Sequence, residues 1–326
     1  MKAFEFVNPS SLKDVPALLG QDRDRAVLLA GGIDLLGELK EGLVQPDRVV
    51  NLKAVPGLNA VKPGGKGLRI GALVTLAEIE SHPAIRKDYR ALADAAASVG
   101  SVQIRNVGTL GGNLCQRPRC WYYRGEAFHC LKKGGATCFA VEGNNKYNAI
   151  LGGGPSYIVH PSDTAPALIA LDAKVTIAGS RGSRTIPLEA FFVLPGEVLR
   201  RENVLAPDEI VTEVEVPAPA PGAKSVYLKF QEKESMDFAL SAVAVALTMS
   251  GDTIRTARVV LGGVAPKPWP AKEAEAILAG QRLSDALLQK AADAALAKAQ
   301  PLGYNDYKVP LTKTLIRRAV LAAAKA

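Results

Sequence analysis

A chain of 326 residues and 34.3 kDa is long enough for two domains, or one composite domain, around a sizeable buried core. Its 48% hydrophobic and 22% charged residues are the balance of a soluble globular protein and exclude fibrous, low-complexity and disordered classes. Forty Lys and Arg against 32 Asp and Glu give a net charge of +8, which suits nucleic acid, an anionic cofactor, an acidic partner or solubility alone; aromatic residues are only 6% and are not interleaved with basic runs, which argues against nucleic acid.

In chain order, Ser11 is expected to cap a short helix ending near Gly20, Ala26 to Ala30 to form a strand, and Asp34 to Lys40 a helix closed by Gly42. Val49, Val50 and Leu52 read as a second strand. Pro63-Gly64-Gly65 reads as a turn before a strand at Leu68 to Ala72, and Thr75 with Glu78 as a capping box for a helix that stops at His82-Pro83. Ala91 to Val99 has helical spacing, whereas Val107 to Cys138 shows little periodicity. Strands are expected at Tyr157 to His160, Lys174 to Ala178, Arg184 to Leu188 and Glu209 to Val216, followed by a linker at Pro217 to Gly222 that divides the chain into 1–216 and 223–326. Beyond it lie strand-like runs Ser225 to Phe230, Ala239 to Met249 and Thr253 to Leu261, the last two joined by Ser250-Gly251-Asp252. A helix over Pro270 to Leu278 ends at Gly280, Ser284 caps an alanine-rich helix that Pro301 terminates, and the last fourteen residues form one more. The class is α+β.

The longest nearly apolar stretch, Phe238 to Met249, is too short for a bilayer, and MKAFEFVNPSS lacks the features of a signal segment. The expectation is a cytoplasmic chain with no membrane span.

All four cysteines, Cys115, Cys120, Cys130 and Cys138, fall in one 24-residue window with spacing Cys-x4-Cys-x9-Cys-x7-Cys, which calls for a joint explanation. Disulfides do not suit a reducing compartment, and structural zinc sites usually show tight Cys-x2-Cys pairs, absent here. Four thiolates on an irregular loop suit a 4Fe-4S cluster best, and Arg117, Arg119, Arg124, Lys132, Lys133 and Lys146 would offset its charge, although a solvated basic loop needs no such explanation. His129 beside Cys130 reads as a hydrogen-bonding or exposed residue rather than a ligand.

Two glycine loops remain. Leu28-Leu29-Ala30-Gly31-Gly32-Ile33-Asp34-Leu35 places paired glycines between a strand and a helix start, and Gly108-Thr109-Leu110-Gly111-Gly112-Asn113 offers a second backbone nest. Neither has the spacing of a Walker loop or a Rossmann fingerprint. Singly each reads as a turn; together they can hold the two phosphates of a dinucleotide.

With LLAGGIDLL at 28–36, IRNVGTLGGNL at 104–114, HPSDTAPAL at 160–168, LKFQEKESMDFALSAVAVAL at 228–247 and GGVAPKPWPAKEAE at 262–275, the chain resembles, over nearly its whole length, the FAD-binding medium subunit of the molybdenum hydroxylases, the xanthine dehydrogenase, aldehyde oxidoreductase and carbon monoxide dehydrogenase group. The resemblance implies a vanillyl-alcohol-oxidase-type FAD domain of two α+β subdomains and a C-terminal α+β domain. It further implies that Leu28 to Leu35 and Gly108, Thr109, Gly111, Gly112 and Asn113 hold the pyrophosphate, that Asp163 binds the ribose or adenine side, and that Lys229 approaches the flavin; Asp237 lies in a matching segment. Without the resemblance, Asp163 reads equally well as a helix cap before Thr164 to Leu171.

The stretch from Asn113 to 146 departs from ordinary medium subunits and looks like the periplasmic aldehyde oxidoreductase subgroup, whose FAD subunit carries a 4Fe-4S cluster. Ile33 replaces the threonine usual in the first loop. The implied partners are a large molybdenum-cofactor subunit, a small 2Fe-2S subunit and an external electron acceptor, with export to the periplasm if a twin-arginine-bearing partner carries the chain. Alternatives from other classes are a standalone FAD-dependent oxidase and a zinc-stabilised binding module.

Overall fold

The computed structural model describes residues 1–64 and 67–326. The chain opens with a small parallel sheet, β1 (Glu5–Val7), β2 (Ala26–Leu29) and β3 (Arg48–Asn51) in the order β1-β3-β2, crossed over by α1 (Val15–Leu19) and α2 (Leu35–Lys40). Ser11 does not cap α1: its hydroxyl and amide both donate to Asp14, closing a turn first, and the helix begins only where Pro16 falls in its first turn and has no amide to satisfy. Gly20 and Gly42, at φ +67° and +69°, end α1 and follow α2.

The second unit is a five-stranded antiparallel sheet in the order β4-β5-β8-β6-β7, comprising β4 (Val61–Gly64), β5 (Gly67–Gly71), β6 (Lys174–Gly179), β7 (Gly182–Pro187) and β8 (Ile210–Pro217). Pro63 and Gly64, expected in a turn, belong to β4, an edge strand where a proline's missing donor faces no neighbour; Gly65 lies outside the described residues. Between β5 and β6 come α3 (Leu76–Ser81), α4 (Pro83–Asp88), α5 (Arg90–Ala97), α6 (Val102–Val107), α7 (Leu110–Cys115), α8 (Trp121–Arg124) and α9 (Thr164–Ala170). The Thr75–Glu78 capping box is present as expected. Pro83 stops α3 but then serves as the first residue of α4. Tyr157 to His160, expected as a strand, joins no ladder, because its backbone bonds go singly to two different segments, Ala149 and Ala265.

The third unit is the antiparallel sheet β12-β11-β10-β9, made of β9 (Ala223–Phe230), β10 (Ser241–Ser250), β11 (Thr253–Gly262) and β12 (Trp269–Pro270), and covered by α10 (Lys272–Leu278), α11 (Asp285–Ala295) and α12 (Lys308–Lys325). β10 is almost continuously apolar because both its faces are buried: Ala242 and Ala244 join the core of the middle unit, Val243, Val245 and Leu247 the core beneath the C-terminal helices. Pro270, expected to open α10, pairs instead with β11 together with Trp269. The fold is α+β, as expected, and among the described residues no helix is long and apolar enough to cross a membrane.

Lys308 at the head of α12 is fully buried, its ammonium donating to the carbonyls of Gly263 (2.7 Å) and Tyr147 (3.0 Å) with no carboxylate nearby. Burial pushes its pKa down to about 7. Between that value and the unfolded pKa of about 10.4 the unfolded chain binds more protons, so this group makes stability rise with pH across that window. Lys308→Met is expected to flatten that rise, read by urea unfolding at pH 7 and pH 9.5.

Candidate functional site

A cleft of about 1060 Å³ opens between the first two units, larger than the roughly 300–1,000 Å³ of an ordinary small-molecule pocket and suited to an extended ligand. One wall is the first glycine loop. Gly31 is pressed against the second loop so closely that a Cβ on it would lie 2.3 Å from the Val107 carbonyl oxygen, and Gly32 sits at φ +78°. The second loop is fixed by its own amides: Leu76 donates to Gly108, Leu110 to Val74 and Gly111 to Ala72, while Gly112 donates to the Thr109 hydroxyl. The amides of Gly31, Gly32, Ile33 and Asp34, by contrast, find no protein acceptor among the described residues. A bare run of donors beside a glycine-tight approach is a cradle for an anionic group. Because α2 and α7 are only six residues long, backbone donors, rather than helix dipoles, supply the attraction.

Of the residues expected to hold a dinucleotide, Leu28, Ala30, Gly31, Gly32, Ile33, Asp34, Leu35, Gly108, Thr109, Gly111, Gly112, Asn113 and Asp163 line this cleft. Leu29 does not. Lys229 does not line it either. Its ammonium is enclosed by Asp163 (2.9 Å) and the carbonyls of Ser98 and Asp237 (both 2.9 Å), so it meets the cleft through Asp163 and Asp237, which line it. Asp163 also accepts from the Tyr227 hydroxyl at 2.6 Å. Burial raises the Asp163 pKa, opposed by Lys229, and drives the Tyr227 hydroxyl strongly upward. The helix-cap reading of Asp163 fails: Ser162 caps α9 by accepting from the Ala165 amide, and Asp163 makes no cap bond. Tyr227 was legible two residues before Lys229, on the same face of β9.

Asn113 accepts from Ser162 and Thr164, which ties the second loop to the 160–164 segment. His160, in that segment, is buried, its pKa pushed down to about 3, and its Nδ1 accepts from the Ser162 amide.

The cysteines are free of disulfides, which removes that explanation. Their expected convergence is not seen: among the described residues no three His, Cys, Asp or Glu side chains are gathered to hold a metal ion. Cys115 ends α7, packs on the core of the middle unit and lines the large cleft, where burial pushes its thiol up to about 12. Cys120 lines a second cavity of about 230 Å³ that shares Arg119, Pro161, Asp163, Asp237 and Phe238 with the first, and accepts from Asn148 at 3.7 Å. Burial, and to a lesser degree the nearby Cys138, raises the Cys120 pKa. Cys130 is drawn towards Cys138 by the bond from the Leu131 amide to the Thr137 carbonyl. Three sulfurs thus share one loop region while the rigid α7 holds the fourth in the cleft wall. His129 is exposed at the cleft edge.

Four of the six basic residues of this loop are not a solvated rim, whereas Lys146 pairs with Glu232 at the surface. Arg117 and Lys132 both pair with buried Glu202 (2.7 and 2.6 Å), and Arg119 and Arg124 pair with Asp34 (3.1 and 2.7 Å). Glu202, which had no sequence signal, is the missed residue that pins the loop to the wall of the cleft.

The fold and cleft define a protein with a two-loop anion cradle, large enough for an extended ligand, and a C-terminal sheet-and-helix unit. The profile of the FAD binding domain in molybdopterin dehydrogenase matches residues 2–219, and that of the CO dehydrogenase flavoprotein C-terminal domain matches residues 225–323. The aldehyde oxidoreductase FAD-binding subunit PaoB of Escherichia coli is 36% identical, aligned over 100% of this chain and 99% of its own length; the carbon monoxide dehydrogenase medium chain of Hydrogenophaga pseudoflava is 30% identical over 98% and 96%. A solved structure of carbon monoxide dehydrogenase from Hydrogenophaga pseudoflava superposes with a TM-score of 0.77 at 29% identity, covering 98% of this chain and 96% of that one, and quinoline 2-oxidoreductase from Pseudomonas putida gives 0.78 at 26%, covering 100% and 99%. The chain belongs to the FAD-binding subunit family of the molybdenum hydroxylases, and its relatives are components of oxidoreductases.

Proposed function

We propose that this chain is the FAD- and 4Fe-4S-bearing electron-transfer subunit of a heterotrimeric, molybdenum-dependent aldehyde or xanthine-type dehydrogenase. A large molybdenum subunit oxidises the substrate, a small 2Fe-2S subunit passes electrons on, and this chain delivers them to an external acceptor. The observation that carries the reading is the cradle: free amides at Gly31 to Asp34 facing a second loop that Gly31 meets in backbone contact. When bound, FAD supplies the exchange between one-electron and two-electron transfer. The protein's part is to bind and orient. The two loops grip the pyrophosphate from both sides, and the Lys229–Asp163–Tyr227 clasp fixes one wall of the cleft beside it.

The cluster reading is supported by the chemistry of the donor set, four thiols within a 24-residue window and in no disulfide. Cys115, Cys120, Cys130 and Cys138 would hold the cluster as thiolates, and the cluster would supply one-electron transfer. Anaerobically reconstituted protein is expected to contain FAD and about four irons per chain. Cys120→Ser loses the iron and keeps the FAD; zinc in place of iron contradicts the cluster. Co-expression with the two partner subunits yields a complex whose aldehyde or xanthine oxidation depends on this chain.

A further inference from the structure

Asp34 follows directly on the first glycine loop, and its carboxylate is used up by the cysteine loop rather than left to a ligand. Oδ2 accepts from the Arg117 amide at 2.6 Å, and Oδ1 pairs with Arg124 at 2.7 Å and Arg119 at 3.1 Å. The contact continues one and two turns further along α2: Glu38 accepts from the Tyr123 hydroxyl at 3.0 Å and Glu41 lies 3.7 Å from Arg124. Positions 34, 38 and 41 share one helix face, so this face of α2 is docked on residues 117–124. The partners are about 80 to 90 residues away in sequence, and both carboxylate oxygens of Asp34 are shielded from bulk water, where charge-assisted bonds hold best.

We infer that Asp34 is a positioning residue that couples the phosphate cradle to the cysteine loop, so that ordering either one favours the other. The inference rests on the reading of the cleft as the FAD site. The loop amides of Gly31 to Asp34 keep their cradle shape only while Asp34 is held from the far side, and residues 117–124 keep their place only while the cradle presents Asp34 to them. Linkage between two such sites is reciprocal. FAD therefore stiffens the cysteine loop, part of which lines the cleft beside it, and the loop, once ordered, raises FAD affinity.

The test is limited trypsin digestion together with FAD titration on the full chain. Arg119, Arg124, Lys132, Lys133 and Lys146 supply cleavage sites within the loop, whereas Arg117 is followed by Pro118 and is not cut. In the wild type FAD should slow cleavage there several-fold. Asp34→Asn should bind FAD about ten-fold more weakly, within the usual span of coupled sites, and lose the FAD-dependent protection. Arg124→Met should do the same from the loop side, and combining the two should add little. A purely structural role would not move ligand-dependent protection. Should Asp34→Asn fail to unfold cooperatively, Arg124→Met carries the test, and the wild-type digestion stands without either. Unchanged FAD affinity with unchanged protection in the variants, or no protection in a wild type that binds FAD, overturns the coupling. A folded wild type that takes up no FAD contradicts the FAD reading itself.

Discussion

Replacing Gly31 by alanine is expected to strip the protein of flavin while leaving it folded. The added Cβ would lie 2.3 Å from the Val107 oxygen, 3.0 Å from the Val107 carbonyl carbon and 3.1 Å from the Gly108 Cα. All three are backbone atoms, so no side chain can swing away and the two loops must part. Forcing an extra methyl into a close-packed contact costs about 1–3 kcal/mol. Falling on the contact that sets the spacing between the phosphate cradles, that cost should appear as roughly a ten- to hundred-fold loss in FAD affinity, measured by flavin titration. Gly57→Ala is the control. Gly57 lies outside the cleft at φ +85° with nothing near its missing Cβ, so the change should lower stability by about 1 kcal/mol and leave the affinity alone.

The Lys229→Met variant should lose the most stability of any single change around the cleft, because it strands the buried Asp163 carboxylate that lines it. Lys229 and Asp163 are almost fully buried, with side-chain exposures of 4% and 5%, and removing the cation leaves an uncompensated carboxylate together with two stranded carbonyls. Breaking such a pair costs about 3–5 kcal/mol, read by urea unfolding near pH 8. The pH dependence has a definite sign. Burial already raises the Asp163 pKa, and without Lys229 nothing cationic opposes it. A carboxyl whose folded pKa lies above its unfolded value binds more protons in the native state, so its contribution is intact below the unfolded pKa of about 3.9 and is lost as pH rises through the folded value. The deficit of Lys229→Met relative to the wild type should therefore shrink on acidification. Adding Asp163→Asn, which removes the buried charge, should recover part of the stability at pH 8.

Much of the frame was legible because its signals are local. Thr75 and Glu78 announce a helix start by themselves, Ser284 does the same for α11, and the alternation in β9 shows which residues share a face. The glycine loops were legible as backbone nests, since only small residues permit the approach that Gly31 makes. What escaped depends on contacts distant in sequence. Tyr157 to His160 has a strand's composition, yet no neighbouring segment offers it a ladder. Lys229 reads as a residue reaching for a ligand, but three protein acceptors from separate segments enclose it. Arg117, Arg119 and Arg124 look like a solvated rim until Asp34 and Glu202 are brought to them from 85 to 90 residues away. The cysteine spacing shows a shared purpose and cannot show that α7 sets Cys115 apart from the other three.

The central claim is that the cleft between the two glycine loops is a flavin dinucleotide site. Titrating the folded, flavin-stripped chain with FAD under exclusion of oxygen tests it most directly. Saturation at a single flavin per chain, with a shifted flavin spectrum that in Gly31→Ala needs roughly ten- to hundred-fold more FAD to appear, is the result expected; a chain that unfolds cooperatively yet leaves the spectrum of added FAD unchanged would contradict it.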